Sequence, residues 1–259
     1  MRLRVRFQKL GKVRFTSHRD VARMWERAFR RVRLPLAWTG GFSPRPKISF
    51  GLALPTGHES YAEYLDIDLV AEAEVDVDRL PAAFSDALPG GVDATAVAVI
   101  DDRAPSLQEE VTSCRWRLHL DAGADAIQAL VGRALAAASL PLERERKGER
   151  SVDDVRPAIL ELDVTAGAPG ETHLDAVLAT RSRGLRPLEL LQVLDPALEA
   201  RRVVRLNQWI ERDGARDEPL SLLPADALRR EHHVRPGFGV PAGLQPDTLA
   251  VATPGVAER

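Results

Sequence analysis

Cysteine is almost absent: Cys114 is the only one in 259 residues. A single thiol cannot close an internal disulfide or supply a multi-thiolate zinc or iron–sulfur site. Cys114 lies in an alternating stretch, CRWRLHL, and reads as a buried strand thiol rather than a nucleophile. Long apolar runs are missing too. Nothing approaches the roughly 18 residues that span a bilayer. The opening MRLRVRFQKL alternates charge with apolar residues, unlike the continuous apolar stretch of a secretory signal. The expected location is cytoplasmic, with no membrane partner.

Acidic residues are scarce at one end. Residues 1–50 carry fourteen Lys/Arg against Asp20 and Glu26 alone, a formal +12, while the rest of the chain sums to −14. The net charge of −2 therefore hides a dipolar chain. Like charge gathered in one region repels itself unless a polyanion or an acidic partner offsets it. With 44% hydrophobic residues, the chain can build one large core or two ordinary ones.

Hydrophobic period organises what is present. Residues 2–7 and 12–16 alternate and predict one bent strand or a short hairpin. Ser17 and Asp20 offer N-cap chemistry for a helix over about 19–33, with Val21, Met24, Trp25, Ala28 and Val32 as its apolar stripe. Leu34-Pro35 ends it. Strands follow at 48–54 and 61–69, a helix at 78–88 and a strand at 92–100. That order, β-α-β-β-α-β, is the ferredoxin-like split unit.

After a loop at 101–112 the pattern restarts. Strands are expected at 114–120, 158–164, 172–180 and 202–211, with helices at 124–139 and about 187–194. Arg27-Ala28-Phe29 before Leu34-Pro35-Leu36 matches Arg133-Ala134-Leu135 before Leu140-Pro141-Leu142. The expected fold class is α+β: tandem ferredoxin-like units at 1–100 and 113–212. The proline-rich stretch 215–259 has no sustained period and is expected to be a disordered tail. His232 and His233 sit there without a carboxylate or thiol at ligand spacing, so no metal site is assigned.

Three segments carry chemistry. The first helix presents Arg19, Arg23, Arg27, Arg30 and Arg31 on the face opposite its apolar stripe, with Arg33 at its end and no lysine. Arginine's planar fork suits phosphate or carboxylate, whereas lysine is the usual choice for plain solubility. The second segment, GGFSPRPKISFG at 40–51, combines a glycine hinge, stiffening prolines, Phe42, Arg45 and Lys47. It suits backbone tracking and stacking on single-stranded nucleic acid. In the third, His18 stands among arginines that should keep its imidazole neutral, which makes it a weak candidate for a catalytic base. Glu59, Glu63, Asp66 and Asp68 form an acidic strand expected to pair with the arginines and fix the loop.

The block over 16–69 resembles the radical-SAM-linked (radical-SAM-associated) bacterial family of uncharacterised function. The resemblance rests on Ser17-His18-Arg19-Asp20, the arginine-rich run from Arg27 to Leu36, the loop from Gly41 to Lys47, and Gly57, Ser60 and Glu63. Arg19 replaces a usual aliphatic residue and Arg45 a common histidine. The likeness is looser through 210, where 152–159 and 186–194 also match, and it is absent beyond. It implies a partner radical SAM protein, on which the iron–sulfur cluster and S-adenosylmethionine would reside. No cofactor is expected in this chain, which has no Cys-x3-Cys-x2-Cys.

These readings converge on a non-catalytic accessory protein that binds RNA, such as tRNA or rRNA, and presents it to a radical SAM enzyme. Two alternatives stand beside it. One is a metal-independent endoribonuclease of the CRISPR RNA-processing type using His18, by fold analogy alone. The other is a protein-docking module with a basic face.

Overall fold

Alternation in RLRVRF puts Leu3, Val5 and Phe7 on one side of a strand and Arg2, Arg4 and Arg6 on the other. In a computed structural model this is β1 (Arg2–Lys9), and its apolar side faces two helices, α1 (His18–Arg31) and α2 (Leu80–Ala87). The structure describes residues 1–220 apart from 147, 168, 169, 182 and 183. The remaining strands of the first half are β2 (Ile48–Phe50), β3 (Glu59–Asp68) and β4 (Val92–Ile100). After the short α3 (Leu107–Glu110) come β5 (Ser113–Leu120), α4 (Ala124–Ala136), β6 (Pro141–Arg146), β7 (Glu149–Asp154), β8 (Ile159–Ala166), β9 (Thr172–Ala179), α5 (Pro187–Leu194), β10 (Ala200–Arg212) and β11 (Ala215–Asp217).

The fold is mixed α+β around one large, mostly antiparallel sheet. Across residues 1–100 the strands lie in the order β4-β1-β3-β2, and across 113–212 in the order β10-β5-β9-β8. Neighbours within each half are antiparallel. The halves join where β10 runs parallel to the start of β3, Val204 beside Glu59 and Arg205 beside Ser60. Each half buries its own apolar cluster. Trp25, Phe29 and Phe84 anchor the first, and Leu118, Ile127, Leu174 and Leu190 anchor the second. Cys114 is buried in β5, as expected, and burial pushes its thiol up to about 11.

The other side of the first half is charged and still buried. Arg4 donates to both oxygens of Asp66, at 2.8 and 3.1 Å, and to Glu110 at 3.2 Å. Arg6 meets Tyr64 Oη at 3.1 Å and Glu218 at 3.1 Å. Ions held this far from water persist only when their hydrogen-bonding capacity is met. The cover comes from α3 and from residues 218–219, which bring Glu110, Glu218 and the Pro219 carbonyl over the arginines.

Several elements depart from expectation. Residues 12–15 belong to a 3-10 turn over Gly11–Phe15, with Thr16 as its C-cap, because Gly11 turns the chain at φ +73° and the Leu10 amide donates to the Gly91 carbonyl instead of extending β1. The strand expected over 48–54 ends at Phe50. There β10 occupies the β3 edge, and the carbonyls of Leu52 and Ala53 accept from Arg205 instead. The stretch 101–112 contains α3, capped by Ser106 and Glu109. Residues 141–154 add the hairpin β6–β7 between α4 and β8. Of the expected disordered stretch, residues 215–217 form β11 against β10. The rest beyond 220, with His232 and His233, lies outside the described residues.

Candidate nucleic-acid interface

Helix α1 starts where the sequence signals it. Ser17 is the N-cap, its hydroxyl accepting from the Asp20 amide at 3.2 Å and donating to the Asp20 carboxylate at 2.7 Å. Val21, Trp25, Ala28 and Phe29 are buried, while Arg19, Arg23, Arg27, Arg30 and Arg31 are all exposed. The helix ends with Arg33 in the left-handed region at φ 55°. The amide of Arg33 donates to Arg30 O and that of Leu34 to Phe29 O, and Leu34 and Phe29 are both buried. This is a Schellman end carrying arginine where glycine is usual.

The next segment is pinned at its base. Thr39 N donates to Arg45 O at 2.9 Å, Arg45 N donates to the Thr39 hydroxyl at 3.0 Å, and Lys47 N donates to Ala37 O at 2.9 Å. Trp38 pairs with Pro46 across the same base. Gly41, at φ +105°, makes the tip possible. Phe42 is fully exposed at that tip, and Trp38 is 57% exposed. Arg45 and Lys47 are exposed as well. Large aromatics left in water beside cations are what base stacking and backbone neutralisation require.

The cations of the first fifty residues divide into two groups. Arg2, Arg4, Arg6 and Arg14 are ion-paired with Asp66, Asp68, Glu110, Glu218 and Glu59. The acidic strand does bind arginines, then, but they are those of β1, the turn and β10 rather than the helix face or the loop. Arg23 is only 3.6 Å from Asp20, both exposed, and Arg31 donates to the Ala87 carbonyl. The side chains of Arg19, Arg27, Arg30, Arg33, Arg45 and Lys47 have no partner among the described residues. The sheet uses its charges internally, and α1 and the loop leave theirs in solvent.

His18 opens α1 and is exposed, its ring edge-on to Phe50 at 5.2 Å. It borders a cavity of about 20 Å³ with Lys9, Glu63 and Tyr64, room for about one water. Lys9 is buried there, its ammonium held to the carbonyls of Thr16 and Arg14 at 3.0 and 3.4 Å. Burial lowers its pKa, against the Glu63 charge. With both of those bonds made to backbone, Lys9 anchors the turn before α1.

A cluster that sequence reading missed lies on the second half. His119 on β5 faces His173 on β9, and Glu171 just before β9 completes a group of three. The signal was the cross-strand register, which brings two histidines 54 positions apart opposite each other, and it is invisible in a linear reading. Trp38 was also missed, because its exposure depends on the loop base. Among the described residues no helix is long and apolar enough to cross a membrane.

A profile for a family described as an uncharacterized protein conserved in bacteria (DUF2344) matches residues 2–187. No curated protein matches the chain. The match covers the first half with its whole basic segment and the second half through β9, ending before β10, and the chain belongs to that bacterial family.

Proposed function

We propose that this member of that bacterial family is an RNA-binding accessory protein, with α1 and the loop at 40–47 as its interface. One observation carries the reading: six cations without partners among the described residues, on one helix face and the adjoining loop, stand beside two exposed aromatics. Arg19, Arg23, Arg27 and Arg30 would take phosphates, and Trp38 and Phe42 would stack unpaired bases. Arg45 and Lys47 would follow the backbone between them.

The scaffold is consistent with this use. We read the two halves as copies of one ferredoxin-like unit, since each runs fourth, first, third, second across the sheet. The β6–β7 hairpin is then an insertion in the second copy. The resemblance over 16–69 names the partner class, a radical SAM enzyme that would bring its own cluster and S-adenosylmethionine and act on the presented tRNA or rRNA.

The endoribonuclease alternative is the weaker one. The cavity beside His18 has room for about one water, and Lys9 is committed to carbonyls. Recovering the native protein from cells, sequencing its bound RNA and identifying its bound proteins tests the proposal. Enrichment of a defined RNA class together with a radical SAM protein is the expected result. An acidic protein with no RNA would favour the docking module.

A further inference from the structure

We propose that His119, Glu171 and His173 form a binding site for a divalent first-row transition metal ion, with zinc the best-matched occupant. This is independent of the RNA reading and lies on a different part of the chain.

Strand register brings the two histidines together. His119 and His173 are direct cross-strand partners on the side of the second half that carries Arg117 and Asp175, away from the apolar cluster. Their rings stand edge to face with centroids 4.4 Å apart. Glu171 lies at the end of the β8–β9 connection, and its Oε1 is 3.1 Å from His119 Nδ1 and 3.9 Å from His173 Nε2. All three ligand atoms fall within 4.8 Å of one another. Ligands about 2 Å from a tetrahedral ion lie about 3.3 Å apart, so movements below about 1 Å close the set.

The surroundings favour an occupant. The three side chains are 15–21% exposed, open enough for an ion to enter and sheltered enough to be held in place. Gly167 keeps the space free, since a Cβ there would come within 2.9 Å of His173 Nε2. Two imidazoles and one carboxylate select zinc and its neighbours over magnesium or calcium, which prefer all-oxygen shells. Three protein ligands also leave a position open for water or a phosphate oxygen.

The competing charges are Arg201, Arg202 and Asp121. Arg201 bridges Glu171 at 3.2 Å and Asp121 at 3.1 Å, so it can keep Asp121 when the ion takes Glu171. The Arg202 guanidinium is paired with Glu59 on the other half.

The test is an equilibrium titration of chelator-stripped full-length protein with Zn²⁺, with Co²⁺ as a spectroscopic substitute. One Zn²⁺ per chain is expected, and a Co²⁺ visible band characteristic of four- or five-coordinate nitrogen–oxygen ligation. His119→Ala, His173→Ala and Glu171→Gln should each weaken binding by roughly tenfold or more, while a His232→Ala/His233→Ala double variant should bind as the wild type does. Circular dichroism monitors folding of each variant, and the wild-type Co²⁺ spectrum needs none of them. No saturable Zn²⁺ binding, a purely octahedral Co²⁺ spectrum, or binding lost only in the His232/His233 variant would each overturn the site.

Discussion

Arg205 on β10 and Glu63 on β3 form an ion pair at 2.8 Å in which both residues are buried, 3% and 7% exposed. The same guanidinium donates to the carbonyls of Leu52 and Ala53 and lies over the Trp116 ring at 4.6 Å. One side chain thus ties the end of the β2 segment, β3 and β5 together at the seam between the halves. Removing one partner leaves a buried charge without its counterion, which costs about 3–5 kcal/mol. Arg205→Met should lower the denaturant-unfolding free energy by that order. A cost below about 1 kcal/mol, typical of an exposed pair, would contradict this role.

The same seam gives the protein a pH dependence. Burial holds the His58 imidazole below the ordinary histidine range; a Thr56 backbone bond opposes this, and the charges of Arg205 and Lys9 add to it. The Trp116 ring stands edge-on to the imidazole, 6.0 Å away. Near pH 6 the unfolded chain therefore binds more protons at this site than the folded one. The stability is fully present above the unfolded value of about 6.5 and is lost as pH falls toward the lower folded value. Unfolding free energies at pH 7.5 and 5.5 should drop on acidification, and His58→Gln should make that drop smaller. Equal drops in both proteins would remove His58 from the account.

Arg33 holds a conformation that disfavours a side chain, at a cost of roughly 1–2 kcal/mol relative to glycine. Arg33→Gly should raise stability by about 0.5–1 kcal/mol through the Schellman end it completes, and should weaken RNA binding by removing an unpaired cation. A gain in stability with unchanged RNA affinity would place Arg33 outside the interface.

What the sequence revealed followed the range of its forces. Helix α1 was legible because Ser17, the Val21–Trp25–Ala28 spacing and Leu34-Pro35 all act within a few residues, and α5 was read at Pro187–Leu194 for the same reason. The basic face was legible from helical spacing alone. The truncated β2 was not, because its end is set by β10, about 150 positions further along the chain. Nor was the division of the arginines into paired and solvent-facing groups. RLRVRF looks as basic as the helix, and only the pairing of β1 with β3 shows that Asp66 neutralises Arg2 and Arg4. The His119–His173 pair was hidden likewise, by a register that no local pattern encodes.

The central claim is that exposed arginines of α1 bind RNA phosphates. Its most direct test is the salt dependence of single-stranded RNA binding, by fluorescence anisotropy, for the wild type and a variant with Arg19, Arg23, Arg27 and Arg30 replaced by alanine. Each neutralised phosphate adds roughly 0.7 to the slope of log affinity against log salt. The wild type should bind at low salt with a steep slope, and the variant's slope should be flatter by about 0.7 for each phosphate it no longer neutralises, with its circular dichroism unchanged. No wild-type affinity at low salt, or the same slope in both proteins, would contradict the account.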